Sequence, residues 1–86
     1  IWLTPLLQLT DVTEALARAT APTLLVGGGA DESWDGAVAE RLPGERLVID
    51  GADHALEIAG DPYASLDALR RVTARVDGFV AALATL

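Results

Sequence analysis

The chain has no cysteine and no methionine, a single histidine, and no lysine, since all six basic residues are arginine. Without cysteine there can be no disulfide and no thiolate metal site, which fits the reducing cytoplasm as the expected compartment. The one histidine stands amid scattered carboxylates without metal-ligand spacing, so no metal centre is expected. No apolar run is long enough to span a bilayer, and no signal-peptide pattern is visible. Positive charge is also scarce: thirteen acidic residues face six basic ones, for a formal net charge of −7. A nucleic-acid backbone or an anionic membrane needs clustered cations, so neither is an expected partner. A chain that starts at Ile1 and holds no methionine is expected to be part of a longer translated product, with a cut or processing site at its N-terminus.

What is present is a globular composition. Hydrophobic residues make up 51% of 86 positions, enough for one small domain and no more. The hydrophobic period changes along the chain and divides it into elements. "IWLT" at 1–4 is short and apolar and stops at Pro5, as the end of a buried strand would. "DVTEALARA" at 11–19 reads as a helix, with Thr10 or Asp11 as cap and Val12, Leu16 and Ala19 on one face. "PTLLVGG" at 22–28 is continuously apolar, the pattern of a parallel strand covered on both faces. "WDGAVAERL" at 34–42 reads as a second helix, capped by Ser33 or Asp35 and ended by Pro43-Gly44.

"ERLVID" at 45–50 is a third strand. A loop follows from Gly51 to about Ala64. A long final helix is predicted from a Ser65 cap, with Leu66, Leu69, Val72, Val76, Phe79, Val80 and Leu83 as its apolar stripe. Strand–helix alternation throughout predicts an α/β fold with a parallel sheet.

In open parallel sheets, sites form beyond the carboxyl ends of the strands. Two loops leave such ends: "GGGADESW" and "GADHALE". If their strands are neighbours they lie about 4.8 Å apart, and Asp31 and His54 emerge at one rim within bonding reach. A carboxylate bonded to one imidazole nitrogen fixes the tautomer and leaves the other nitrogen free to take a proton. Each residue also has a plainer reading. A lone loop histidine is often a surface or capping residue, and Asp31 could be a turn residue. Glu32 is the alternative acid, and Asp53 is expected to point elsewhere. Trp34 reads as packing at a helix start, Tyr63 as a loop anchor, and Gly27-Gly28-Gly29 as a tight turn with positive φ.

The segments "PTLLVGGGADESWD" and "LVIDGADHALE", followed by a long closing helix, together resemble the C-terminal part of an α/β-hydrolase, whose triad runs in the order nucleophile, acid, histidine. The resemblance spans essentially residues 1–86, which it makes a single partial domain. It implies that "IWLTPLL" holds the end of the sixth strand of that fold and the chain that follows it, with "TLLVGG" the seventh and "RLVID" the eighth. It makes Asp31 the triad acid and His54 the triad histidine, and it implies no cofactor. The expected chemistry is serine-type hydrolysis of an ester, thioester or amide of a small-molecule substrate. The nucleophile elbow G-x-S-x-G is missing. Ser33 and Ser65 are the only serines and neither has that context, so the nucleophile is expected upstream of Ile1. A sixth strand without its fifth would leave an apolar edge at residues 1–4, open to self-association.

Two other functions fit parts of the pattern. "VGGGADE" followed by Asp50 imitates a dinucleotide fingerprint, with Gly27 and Gly29 in its first two glycine positions. Its third position is Glu32, and Asp31, Glu32 and Asp35 would oppose a phosphate at a helix end that supplies only about half a positive charge. The remaining possibility is a non-catalytic α/β interaction module.

Overall fold

The computed structural model describes residues 1–85. Three strands, β1 (Trp2–Leu3), β2 (Leu24–Gly28) and β3 (Glu45–Ile49), alternate with three helices, α1 (Thr10–Ala17), α2 (Gly36–Arg41) and α3 (Pro62–Leu83). The strands form one parallel sheet in the order β1-β2-β3. The expected α/β alternation is therefore present, with ends that differ from the sequence pattern by at most four residues, the largest shift being the start of α3.

β2 explains the layering. All five of its residues are buried. Alternate side chains of a strand point to opposite faces, and two separate clusters result. Leu24 and Val26 pack with Ile49, Ala52, Ala68, Val72 and Phe79 beneath α3. Leu25 packs with Leu7, Leu16, Ala39 and Leu42 beneath α1 and α2. The molecule is thus a sheet with α3 on one face and α1 and α2 on the other. Burying each of Leu24, Leu25 and Val26 contributes about 2 kcal/mol. The ion pair that links α3 to β3, Arg75 to Glu45 at 2.5 Å, has one partner 55% exposed and contributes about 0–1 kcal/mol. Apolar burial, not charge, holds α3 to the sheet.

Three sequence expectations change. α3 starts at Pro62 and is capped by Asp61, whose carboxylate accepts from Ala64 N at 3.0 Å; Ser65 lies inside the first turn. Asp61 wins because Pro62 occupies the first helical position, where its missing N–H is no loss. At α1 neither Thr10 nor Asp11 is the cap, because the helix already includes both and the cap position falls on Leu9. At α2, Asp35 is the cap, accepting from Val38 N at 3.2 Å.

The third change is the buried face of α3. It is Ala68, Val72 and Phe79, with Val76 half-buried. Leu66, Leu69, Val80 and Leu83 are exposed. At about 100° per residue, Leu69 and Val80 lie a quarter-turn or more round from Ala68. The small Ala68 side chain lets the helix close on the sheet there, which the larger leucines would not.

That exposed flank has a neighbour. Leu66, Leu69 and Val72 join Leu3, Leu56 and Ile58 around a hollow of about 770 Å³ beside β1. β1 is an edge strand, bonded only to β2 among the described residues, and Ile1, Trp2 and Leu3 are exposed. No helix among the described residues is long and apolar enough to cross a membrane.

The buried and exposed faces of α3 can be separated by unfolding. Phe79→Ala should cost about 3–5 kcal/mol, a large part of the whole stability of a small domain. Leu66→Ala, at an equally apolar position in the sequence pattern, should stay within about 0.5 kcal/mol. Urea denaturation of both variants checks the assignment of faces; equal losses would contradict it.

Candidate functional site

Two loops meet at the carboxyl ends of β2 and β3, as neighbouring strands require. The chain leaving β2 turns at once: Gly29 N donates to Ile49 O at 2.9 Å, Ala30 N to Ala52 O at 2.9 Å, and Asp31 N to Gly28 O at 3.1 Å. These bonds stitch the start of one loop onto the other. They bring Asp31 under the second loop, and its side chain is only 3% exposed.

The glycines permit this approach by lacking side chains, and none of Gly27, Gly28 and Gly29 has positive φ. The expectation of a positive-φ turn is therefore corrected. A Cβ on Gly27 would overlap the Trp34 ring, and one on Gly28 would overlap Ala52 O and come within 2.7 Å of Asp53 O. Trp34 packs as expected, against the α1–α2 side of the core. Tyr63 is 82% exposed, so it anchors nothing; it follows Pro62 on the outer side of the first turn of α3.

Asp31 uses both carboxylate oxygens. Oδ1 accepts from Ser33 N at 2.8 Å, and Oδ2 lies 2.8 Å from His54 Nδ1. Enclosure by itself would push the Asp31 pKa up. The hydrogen bonds from His54 and the Ser33 amide, with the attraction of the imidazole charge, outweigh it, and the carboxyl is held below its ordinary value of 3.8. Ionised, Asp31 has no proton to give, so Nδ1 is the donor. The neutral ring then carries its lone pair on Nε2. The His54 side chain is 56% exposed, and Nε2 has no hydrogen-bond partner among the described residues. The arrangement is a proton acceptor aimed away from a buried anion that would stabilise the resulting cation.

The other nominated residues fall outside the pair. Glu32 is exposed and has no hydrogen bond to His54. Asp53 indeed points elsewhere: its Oδ1 accepts from Ala55 N and Glu57 N, each at 3.0 Å. Ser65 Oγ accepts from Ile58 N at 2.9 Å and lies 2.8 Å from Asp61 O and 3.1 Å from Ile58 O, either of which can take its one proton. It ties α3 to the histidine loop, a role the sequence reading missed by treating Ser65 as a helix cap. The described residues hold no cluster of three or more His, Cys, Asp or Glu suited to a metal ion.

Two of the three glycines leave no open space for a ligand. The space beside Gly27 and Gly28 is filled by Trp34 and by the backbone of Ala52 and Asp53, and the α2 N-terminus already holds the Asp35 carboxylate. Comparison with family models, curated proteins and solved structures finds no match to this chain, so the site is read from its own geometry.

Because the folded-state pKa of Asp31 is depressed, its ionisation stabilises the fold above the ordinary carboxylate value. That contribution is lost as pH falls through the lower folded value. The stability gap between the unaltered protein and Asp31→Asn should therefore narrow as pH falls below the ordinary carboxylate value of 3.8. Urea unfolding across that range checks it, and a gap independent of pH would contradict the assignment.

Proposed function

We propose that this chain is the C-terminal part of an α/β-hydrolase and supplies two members of its catalytic triad. In this reading His54 is the general base and then the general acid, and Asp31 orients it. The nucleophile is a serine upstream of Ile1, attacking the carbonyl of a small ester, thioester or amide. The observation that carries the reading is the 2.8 Å bond from His54 Nδ1 to the enclosed Asp31 carboxylate, with Nε2 left unpartnered on the exposed side. A surface or capping histidine, the plainer reading, does not require an enclosed anion on Nδ1. Here one nitrogen is fixed by an anion and the other faces outward, the division of labour that general-base catalysis requires.

Neither serine of the chain competes for the role of nucleophile. Ser65 Oγ is engaged with Ile58 and Asp61. Ser33 lies on the acid side, its amide on Asp31 Oδ1 and its carbonyl accepting from Leu7 N at 2.9 Å. The dinucleotide reading loses ground because the space beside Gly27 and Gly28 is filled from within. No cofactor is required by the proposed chemistry.

In the protein that joins this chain to its serine segment, His54→Ala should lower turnover of a p-nitrophenyl acyl ester by several orders of magnitude, with the circular dichroism unchanged. Asp31→Asn should cost about 10⁴-fold, as the equivalent substitution does in serine proteases of unrelated fold, because it favours the wrong tautomer. Near-normal turnover by the His54 variant would sink the reading.

The 86-residue chain by itself should be inert toward the same ester and should self-associate through the apolar edge at residues 1–4. Light scattering with and without Leu3→Lys, which places a charge on that edge, checks the second point. A stable monomer with esterase activity abolished by substituting Ser33 or Ser65 would overturn the proposal.

A further inference from the structure

His54 is poorly placed to hold itself. More than half of its side chain is exposed, so burial contributes little to fixing the ring, and one hydrogen bond is its only described tether. The loop around it is also strained. Leu56 has φ 61°, a left-handed conformation that L-residues with bulky side chains rarely adopt. Left to its own preferences, the segment would relax and carry the imidazole away from Asp31.

Four hydrogen bonds oppose that, and all four end on one residue. Asp53 N donates to Glu57 O at 2.9 Å, and Asp53 O accepts from Leu56 N at 2.9 Å. Asp53 Oδ1 accepts from both Ala55 N and Glu57 N at 3.0 Å. The bonds close around His54, Ala55 and Leu56, yet none joins Asp53 to the ring. The carbonyl of Asp53, beside that of Ala52, also lies against Gly28, so the residue that gathers the histidine loop is seated on the strand leading to Asp31.

We propose that Asp53 is a positioning residue, whose carboxylate, by holding the amides of Ala55 and Glu57, fixes the turn that presents His54 Nδ1 to Asp31. Its functional meaning rests on the hydrolase reading, but the geometry it controls can be measured without any substrate. Neutral imidazole in water favours the Nε2–H tautomer, and a carboxylate on Nδ1 reverses the preference. With a single histidine in the chain, ¹⁵N-resolved NMR of the ring reports the pair directly.

The unaltered protein should show the Nδ1–H form. Asp53→Ala leaves two amides without their acceptor and should shift the ring to the free-imidazole mixture. Asp53→Asn keeps an acceptor oxygen and should restore the Nδ1–H form, because the role needs a lone-pair oxygen rather than a charge. In the catalytically complete protein, Asp53→Ala should lower kcat by up to about 10²-fold with KM unchanged, as a displaced catalytic group does.

An Asp53→Ala protein that keeps the Nδ1–H signature would overturn the proposal. So would open-chain exchange rates at the Ala55 and Glu57 amides of the unaltered protein, a measurement that needs no variant to fold. An intact Nδ1–H signature in the protein joined to its serine segment, with no ester hydrolysis there, would instead defeat the hydrolase reading and leave the role of Asp53 standing.

Discussion

A strand with every residue buried can exist only if something covers both of its faces, and β2 imposes that condition on the rest of the molecule. Its five residues expose nothing, so α1 and α2 must lie on one side and α3 on the other. β1 and β3 must take its two edges, because unpaired backbone groups at the centre of a core would each cost about 1–3 kcal/mol. The two hydrophobic clusters are consequences of the alternation of Leu24, Leu25 and Val26 about the sheet plane. The apolar flank of α3 beside β1 is where this logic leaves surface open.

The same strand sets up the chemistry at its end. Gly27 and Gly28 finish β2 without side chains, so Trp34 can lie over one and the backbone of Ala52 and Asp53 over the other. This close seating of two loops, and not any long-range field, brings a carboxylate and an imidazole 23 positions apart in the chain to 2.8 Å. Enclosure makes the anion costly, and the hydrogen bonds it accepts more than repay the desolvation. An enclosed, satisfied acid beside an exposed, half-satisfied histidine is an asymmetric pair. Protons can reach His54 from outside and cannot easily reach Asp31.

Much of this was legible in the chain. The continuous apolarity of residues 22–28 announced a two-faced strand, and the switch between strand and helix periods located all six elements. Asp31 and His54 were legible as a pair because both follow strands by a few residues and parallel neighbours put such positions at one rim. The errors have a common source. The stripe assigned to α3 took the large residues Leu66 and Leu69 as core, because hydrophobicity was weighed without knowing how close the helix sits. Serine at 65 suits a cap, but Asp61 before Pro62 suits it better. Asp53 is expected only to point elsewhere, and no local pattern marks the amides it holds.

By itself the sequence determined the α/β alternation, the acidic and lysine-free surface, and the two residues able to share a proton, because these depend on composition and on the fixed periods of helix and strand. Only the tertiary structure decided which face of α3 is buried, why Gly28 must lack a side chain, and that Asp53 and Ser65 hold the histidine loop. Those depend on distances between segments remote in sequence, and no local period encodes how closely two backbones will approach.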